Sequence, residues 1–473
     1  MSTRSRAFAA SILALTLAGF VLRLICARGD LWLDEIWSLQ NLEYIGTIGG
    51  IFWGISQNNN HILNSLWLWF VGPDASPAVV RLESIILGTL TIPAAAKLCG
   101  RSGEVAGLSG AALVAFGAIF VHYGSEARGY AGLILMIFVA ADTLEDYLEG
   151  STHRSRWIFG ACVALGALFH LTMLIAAFVL IAATLARIQW RSRSLAHTLS
   201  AGADLALPAI LGALPALSFL IAGIAVTHKI QLGTQVPFSF ERLAQGLATL
   251  CEATLGLPYH WPLWLCAMIA ILAIGAAFLV VAPERRILPF SCLFLPPLIA
   301  ILARLPNVHI ARFHLVGAVG LVILCADLFA KLRNMRQNGF ALALAFAFAT
   351  GNALNVAPLI AIGRGDYRGL VARMETFAPA TYASDLPAEV GRTIRFYDRH
   401  LGGRLAPLGD DWCRKPPDWF VFSGGPSGEV PHRTFGPSAC PTFFDLVSVT
   451  QPAPLSGLRL ALYRRSKGQQ GPN

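Results

Sequence analysis

Long apolar runs constrain the fold of this chain more than any other feature. Runs of about 20 residues, enough for a helix to cross a bilayer, occur at 7–26, 77–98, 104–122, 129–148, 203–226, 262–282, 287–304, 312–332 and 339–362. A longer run at 157–187 divides near His170, which we interpret as a hydrogen-bonded core histidine, into two further spans, the first of them short. The runs do not alternate with polar residues, so they predict helices rather than a β-barrel. We predict an all-α polytopic membrane domain of about eleven transmembrane helices.

The composition agrees with a membrane protein. Hydrophobic residues make up 55% of the 473 residues and charged residues only 13%, which is too little charge for the surface of a soluble domain of this size. The formal net charge is +9, but the basic residues fall in short clusters between apolar runs, with no basic stripe interleaved with aromatics. We therefore expect the lipid bilayer as a partner and no nucleic acid.

The basic clusters also predict the orientation of the helices. If Arg4 and Arg6 are cytoplasmic and the first helix is not cleaved, eleven spans put every basic loop inside: 97–101, 153–156, 187–193, 285–286 and 331–336. This arrangement requires the segment at 61–71 not to cross. At about 11 residues it is too short to span, and it fits an interfacial helix in the first outer loop. We predict an inner-membrane protein with a cytoplasmic N-terminus and an extracytoplasmic C-terminus.

The C-terminal part of the chain differs from the rest. Residues 363–473 are richer in Pro, Gly, Asp and Arg and contain short strand-like runs, as at 419–422. A segment of this length can form a small α/β domain, so we predict a transmembrane domain at 1–362 and an extracytoplasmic domain at 363–473. Cys413 and Cys440 are its only cysteines. We expect a disulfide between them in an oxidising compartment, and two reduced thiols if the segment is cytosolic.

Two acidic spots lie next to apolar runs, on the side predicted to be outside. Asp34 and Glu35 are in the first outer loop, and Glu126 follows the run that ends at 122. Carboxylates at membrane depth are costly and indicate function, either as a general base or as ligands of a divalent ion. The structural alternative for Asp34 and Glu35 is an acidic pair at the start of a helix, stabilised by the helix dipole.

Polar and basic residues on the same predicted side extend the candidate site. Asn60 and His61 precede the interfacial helix and can bind sugar hydroxyls or a phosphate, although Asn60 is also a suitable N-cap. Arg128, close to Tyr130, has the planar guanidinium that suits a phosphate. The alternative is a local ion pair between Arg128 and Glu126. Arg312 begins a span from outside, where it can meet an anionic head group or extend to the interface.

The order of these motifs resembles the C-type membrane glycosyltransferases, in the branch of the protein O-mannosyltransferases and the aminoarabinose transferases of lipid A. The matching pieces are Trp32-Leu33-Asp34-Glu35, Asn59-Asn60-His61, Gly72, Arg81-Leu82 and Ser125-Glu126-Ala127-Arg128-Gly129-Tyr130. The resemblance is good over residues 1–200, weaker to 362 and absent from the C-terminal part. Several relatives carry a proline directly after the position of His61, where this chain has Ile62.

The resemblance implies an inverting glycosyltransferase with a polyprenyl-phosphate-linked sugar as donor and a lipid, polysaccharide or protein as acceptor. It makes Asp34 the base, with Glu35 and Glu126 as further catalytic carboxylates. It assigns the donor phosphate and sugar to Asn60, His61, Arg128, Tyr130 and Arg312. Some relatives carry a divalent metal, whose ligands here would be Asp34, Glu126 and His61.

A transporter or flippase of lipid-linked sugars is the alternative function, because it would share the spanning helices and the outward cleft. Such a protein needs polar or broken helices near the middle of the membrane. The candidate residues above lie on one predicted side, and the sequence shows no internal repeat, so both observations favour the enzyme. A third interpretation is a membrane-anchored binding or assembly protein whose function is carried by its C-terminal domain.

Overall fold

The computed structural model describes residues 3–55, 60–150, 152–229, 235–259, 261–409, 412, 414–423, 433–435 and 442–466. Cys413 and Cys440 of the predicted disulfide, and Asn59 of the motif before His61, lie outside these residues. Contacts divide the chain into two compact units. The first comprises Met1–Ala27 and Asn41–Ala357, and the second comprises Arg28–Gln40 and Pro358–Asn473. The Trp-Leu-Asp-Glu motif therefore belongs to the second unit, and the predicted domain division at residue 362 stays a prediction.

Helices form most of the chain. In order they are α1 (Thr3–Cys26), α2 (Leu33–Ile45), α3 (Gly50–Trp53), α4 (Ile62–Val71), α5 (Pro77–Val80), α6 (Leu82–Gly100), α7 (Glu104–Phe116), α8 (Ala118–Tyr123), α9 (Tyr130–Leu148), α10 (Thr152–Phe169), α11 (Thr172–Ser192), α12 (Leu195–Thr227), α13 (Phe240–Leu255), α14 (Leu263–Val280), α15 (Pro283–Leu302), a 3-10 helix (Ala311–His314), α16 (Leu315–Asn334), α17 (Asn338–Ile362), α18 (Tyr367–Glu375) and α19 (Pro387–Arg399).

Seven helical segments in the described part of the chain are long and apolar enough to cross a bilayer: Arg6–Cys26, Leu82–Gly100, Thr172–Ser192, Leu195–Thr227, Pro283–Leu302, Ala311–Asn334 and Asn338–Glu375. The other four predicted runs are also helical, but the run at 104–122 breaks at Gly117 into α7 and α8, and α9 carries three acidic residues near its end. The segment predicted not to cross forms the separate ten-residue α4. The predicted fold class, a polytopic all-α membrane protein with a small C-terminal sheet, is confirmed.

A buried arginine stabilises the break between α7 and α8. Arg23 of α1 is fully buried and donates hydrogen bonds to the carbonyl oxygens of Val114 at 2.9 Å and Ala115 at 3.3 Å. These carbonyls lie in the last turn of α7, where the helix itself supplies no partners and a positive charge is favourable. A Cβ on Gly124 would lie 2.6 Å from Arg23 Nε, so glycine is required there. The arginine thereby stabilises the end of α7 at the break and packs against Gly124, which follows α8.

The second unit contains a six-stranded sheet with the order β2-β1-β3-β6-β5-β4. The strands are β1 (Ala380–Ser384), β2 (Leu405–Pro407), β3 (Trp419–Phe422), β4 (Arg433–Phe435), β5 (Phe443–Val449) and β6 (Ala461–Arg465). β1 is parallel to β2 and β3, and the remaining pairs are antiparallel. Phe420, Phe444 and Tyr463 form the centre of its core, which agrees with the apolar runs in the sequence.

Candidate functional site

Several predicted site residues lie close together in the first unit. The rings of His61 and Tyr130 are 5.6 Å apart, and the guanidinium carbon of Arg128 is 5.5 Å from the Tyr130 ring. Arg128 also donates a hydrogen bond of 3.4 Å to the Tyr130 hydroxyl. Arg312 lies close enough for its positive charge to contribute to lowering the pKa of His61. The cluster formed by His61, Arg128, Tyr130 and Arg312 is called the Arg128 site below.

The loop between α8 and α9 presents Arg128 through its own hydrogen bonds. The Ser125 hydroxyl donates to the Val121 carbonyl at 2.8 Å, and the Arg128 amide donates to the Glu126 carbonyl at 2.7 Å. Ser84 of α6 donates to the Arg128 carbonyl at 3.2 Å. These bonds hold a tight turn, and they leave the side chain of Arg128 buried at the start of α9.

The glycine after Arg128 is required by close packing. A Cβ on Gly129 would lie 2.0 Å from the carbonyl oxygen of Phe169, at the end of α10. Real Cβ atoms do not approach backbone oxygen so closely, so a side chain there would push α9 and α10 apart. The glycine of the Arg-Gly-Tyr motif thus allows Phe169 to reach the site, where its carbonyl contacts His61.

The hydrogen bonding of His61 determines which of its ring nitrogens carries the proton. His61 Nδ1 lies 3.0 Å from the carbonyl oxygen of Phe169, which can only accept, so Nδ1 is the donor. Burial, then the positive charge of Arg128, holds the pKa of His61 well below its ordinary value. The ring is therefore neutral and Nε2 carries a lone pair. Nε2 is buried and has no hydrogen-bond partner among the described residues.

His170 is a site residue that the sequence interpretation missed. Its ring stacks on His61 at 4.9 Å and lies 5.0 Å from Tyr130. The Thr172 amide donates to His170 Nδ1 at 3.1 Å. Burial, followed by the charges of Arg128 and Arg312, lowers the pKa of His170 to about 3. His170 is therefore neutral with its proton on Nε2, the opposite tautomer to His61. Its place at the end of an apolar run was the only sequence signal.

Glu126 and Asn60 have identifiable neighbours within the first unit. Glu126 is fully buried, and its carboxylate lies 3.2 Å from His122 Nε2. Asn60 donates to the Ile51 carbonyl at 2.9 Å and accepts from the Ser65 hydroxyl at 2.9 Å. The N-cap of α4 is His61 rather than Asn60. Asn60 therefore supports the start of α4 by accepting from the Ser65 hydroxyl, whereas an N-cap would accept from a backbone N–H of the helix.

Asp34 and Glu35 lie in the first turn of α2, in the second unit. The Glu35 carboxylate is fully buried and accepts a hydrogen bond of 3.2 Å from the Trp32 amide, as in one half of a capping box. Asp34 is half-buried, and its carbonyl accepts from the Ser38 hydroxyl at 2.9 Å. The structural alternative thus describes Glu35 well, and the catalytic roles of both acids stay predictions.

Contacts with the rest of the second unit hold this motif in position. The Tyr397 hydroxyl of α19 donates to the Leu31 carbonyl at 2.8 Å. The Arg392 guanidinium lies 5.0 Å from the Trp37 ring, and the Arg392 carbonyl accepts from the Gln40 amide at 3.3 Å. The N-terminal half of α2 is therefore packed against α19.

The predicted metal ligands do not form a recognisable metal site in the structure. In the described ranges, no group of three or more His, Cys, Asp or Glu side chains is arranged to hold a metal ion. Asp34 belongs to one compact unit, and Glu126 and His61 belong to the other. The divalent metal stays a prediction, and the reaction described below does not depend on it.

Two solved structures show a distant likeness to the chain. An oligosaccharyltransferase from Archaeoglobus fulgidus, in complex with Zn and sulfate, matches at 11% identity and a TM-score of 0.49, covering 87% of this chain and 68% of its own. Apo ArnT from Cupriavidus metallidurans matches at 12% identity and a TM-score of 0.46, covering 100% of both chains. No protein-family profile and no curated protein sequence matches. Because both TM-scores are below 0.5, we infer neither family nor activity from these likenesses.

Proposed function

We propose that this protein is an inverting membrane glycosyltransferase of the C-type family, acting on the outer face of the inner membrane. It transfers a sugar from a polyprenyl-phosphate donor to an envelope lipid, polysaccharide or protein. The observation that supports this most is the Arg128 site, where two positive charges, those of Arg128 and Arg312, act on one stack of neutral rings. Such a site offers cations to a phosphate and neutral polar groups to a sugar.

Arg128 and Arg312 are the proposed phosphate-binding residues. Negative charge grows on the phosphate oxygen as the glycosidic bond breaks, and a fixed guanidinium in a dry site stabilises that charge strongly. Arg128 is buried and oriented by its contact with Tyr130. It therefore needs little reorganisation when the donor binds.

The two histidines are better suited to sugar hydroxyls than to the phosphate. The lone pair on His61 Nε2 would repel a phosphate oxygen but accepts a hydrogen bond from a hydroxyl. His170 Nε2 carries a proton and can donate. Of the two ligands that the sequence left open for His61, the proposed function therefore assigns it the sugar, and Asn60 supports it from the start of α4.

Asp34 is the proposed general base. The acceptor hydroxyl oxygen forms a bond to the anomeric carbon while its proton passes to the Asp34 carboxylate. The bond from that carbon to the phosphate oxygen breaks, and its electron pair leaves with the polyprenyl phosphate. Attack from the opposite face inverts the anomeric centre. Glu126 contributes a buried carboxylate beside His122.

The flippase alternative needs a direct test, because charge placement does not separate it from the enzyme. The structure adds ionisable residues at the far end of α9 and a carboxylate, Asp327, within a spanning helix. A purified enzyme releases polyprenyl phosphate from a polyprenyl-phosphate sugar when an acceptor is present. A flippase moves the lipid without breaking the glycosidic bond.

The test combines gene deletion with a purified assay. Mass spectrometry of envelope glycolipids from a deletion strain identifies the missing sugar and its acceptor. The purified full-length protein is then incubated with that donor and acceptor, and released polyprenyl phosphate is measured. Asp34→Asn is compared with Glu43→Gln, which changes an exposed carboxylate on the same helix.

We expect Asp34→Asn to lower turnover by at least about a hundredfold, the scale of a lost general base, and Glu43→Gln to leave it unchanged. Donor binding should persist in Asp34→Asn. Full turnover by Asp34→Asn would refute the assignment of the base. Lipid translocation without bond cleavage by the unmodified protein would establish the flippase instead.

A further inference from the structure

Tyr123, the last residue of α8, is a fully buried tyrosine that the proposed mechanism does not use. Its hydroxyl oxygen is closed to solvent and makes no hydrogen bond with any residue that the structure describes. A buried hydroxyl normally has a partner, because without one it loses the hydrogen bond that it makes to water in the unfolded chain. An exception therefore needs a specific explanation, and a ligand that accepts the bond is one.

Tyr123 lies beside the Arg128 site. Its ring is 5.0 Å from the ring of Tyr130, with 56° between the two planes. It is also 5.3 Å from the ring of His122, in an edge-to-face arrangement. Aromatic contacts of this kind restrict the orientation of a ring. The hydroxyl is therefore held in a defined direction and needs little reorganisation to bind a ligand.

A second buried polar atom without a hydrogen-bond partner in the described part of the chain lies near the same Tyr130 ring. It is Nε2 of His61, whose ring is 5.6 Å from that of Tyr130. The two groups are complementary, because the Tyr123 hydroxyl can donate and His61 Nε2 accepts. Two such groups around one ring point to a single ligand that carries both an acceptor and a donor. A sugar phosphate has both, since its phosphate oxygens accept and its hydroxyls donate.

The charges near Tyr123 indicate which part of that ligand its hydroxyl meets. Burial raises the pKa of Tyr123 well above its ordinary value, and the nearby positive charge of Arg312 opposes this rise. Arg128 donates to the hydroxyl of the neighbouring Tyr130 at 3.4 Å. Glu126 also acts on Tyr123 through its charge, but no hydrogen bond joins the two side chains. An oxygen that binds close to both guanidinium groups belongs to the anionic part of the ligand, its phosphate.

We propose that the Tyr123 hydroxyl donates a hydrogen bond to an oxygen of the donor phosphate and stabilises the negative charge that grows there as the glycosidic bond breaks. This inference rests on the proposed function, because it places the phosphate at the Arg128 site. The proton stays on Tyr123, since the pKa of tyrosine is about 10 and the second pKa of a phosphate monoester is about 6. A hydrogen bond strengthens as the accepting oxygen gains charge. Tyr123 therefore favours the transition state and the released polyprenyl phosphate over the intact donor.

The substitution Tyr123→Phe tests this proposal, because it removes the hydroxyl and keeps the ring. The matched control is Tyr147→Phe in the same unit, which removes a hydroxyl that donates to Asp204 at 3.1 Å. Tyr147 lies at the far end of α9 from the Arg128 site. Purified full-length variants in detergent are compared in thermal unfolding and in turnover of the donor. Competition binding then measures their affinities for polyprenyl phosphate and for uncharged polyprenol.

We expect the two variants to differ in opposite ways. Tyr123→Phe should keep or raise the midpoint temperature of unfolding, because its hydroxyl has no partner among the described residues, whereas Tyr147→Phe should lower it. Tyr123→Phe should bind polyprenyl phosphate about tenfold more weakly and polyprenol equally well, and its turnover number should fall about tenfold or more. Below its unfolding temperature, Tyr147→Phe should bind and turn over like the unmodified protein.

The binding measurements distinguish a failure of this proposal from a failure of the proposed function. If the unmodified protein transfers sugar and Tyr123→Phe binds polyprenyl phosphate as tightly as it does, the role of Tyr123 is wrong and the glycosyltransferase stands. If no sugar is transferred but Tyr123→Phe loses affinity for the phosphate lipid alone, the phosphate contact is supported and the glycosyltransferase is not. A lower unfolding midpoint for Tyr123→Phe, or an equal loss of affinity for polyprenol, would assign the hydroxyl a structural role and overturn the proposal.

Discussion

His61 Nδ1 donates a hydrogen bond of 3.0 Å to the carbonyl oxygen of Phe169, and this one contact decides what the other ring nitrogen, Nε2, can do. Because the ring is neutral, Nε2 must be an acceptor. A sugar hydroxyl can use that acceptor, and a phosphate cannot. The chemistry of His61 is thus determined by a backbone group at the end of a distant helix.

The first prediction separates sugar binding from phosphate binding at His61. In His61→Phe, the acceptor is lost but the ring is retained, so we expect KM for the glycosylated donor to rise about tenfold. Binding of unglycosylated polyprenyl phosphate should remain within about twofold. Both are measured on the purified protein. An equal loss of affinity for the two lipids would contradict the assignment.

Arg128 should show the opposite selectivity. Arg128→Gln removes a buried charge from the proposed phosphate site, and we expect the affinity for polyprenyl phosphate itself to fall by at least about tenfold. Arg128→Lys should recover only part of it, because lysine carries the charge without the planar fork. Competition binding with labelled polyprenyl phosphate measures both. Unchanged affinity in Arg128→Gln would show that the phosphate binds at another site.

Gly129→Ala should destabilise the protein. The new methyl group would lie 2.0 Å from the Phe169 carbonyl oxygen, and relieving such overpacking costs about 1–3 kcal/mol. Gly275→Ala in α14 is the matched control, since a Cβ there meets nothing within 4 Å and alanine favours a helix. Thermal unfolding in detergent should show a lower midpoint for Gly129→Ala alone. Equal midpoints would show that α10 can shift to accommodate the methyl group without loss of stability.

Glu35 should affect stability through its cap. Glu35→Ala removes the acceptor of the Trp32 amide, and we expect a loss of about 0.5–2 kcal/mol, the range for lost helix caps. Glu35→Gln keeps an acceptor oxygen and should retain most of that stability. The same thermal measurement checks both. If Glu35→Gln abolishes turnover while the fold is unchanged, the carboxylate itself is catalytic.

The stability of the second unit should depend on the protonation of Asp398. Burial, followed by a hydrogen bond with Glu375, raises the pKa of Asp398 to about 6. The folded state therefore holds this proton more tightly than the unfolded chain, whose aspartate pKa is about 4. The stabilisation is full below that lower value and is lost as the pH rises to about 6.

We expect the midpoint temperature of thermal unfolding of the full chain to decrease as the pH is raised from about 4.5 to about 7. Asp398→Asn mimics the protonated side chain and should abolish this part of the pH dependence. Asp74→Asn, in an exposed loop, should preserve it. A slope that persists unchanged in Asp398→Asn would assign the dependence to another group.

Hydropathy and spacing were sufficient to predict the membrane class, the helical runs and the short α4. Each of these depends on local properties: the length of an apolar run, its lack of alternation, and the distance a helix must cover to cross a bilayer. The residues of the Arg128 site were also recognisable, since Arg128, Tyr130 and His61 are polar groups beside apolar runs.

Other features could be decided only by the tertiary structure. His170 resembles a core histidine in the sequence, and only the packing of α10 against α9 brings it onto His61 with the opposite tautomer. The sequence predicts a catalytic role for Glu35, and only the structure shows that its carboxylate also accepts a hydrogen bond from the Trp32 amide. Asp327 lies in an apolar run of the sequence, and only the packing of the helices places it in a charged cavity beside Ser102 and Arg285. Local patterns report how much of a side chain is buried, but hydrogen bonds and ion pairs between distant segments decide what each buried group can do.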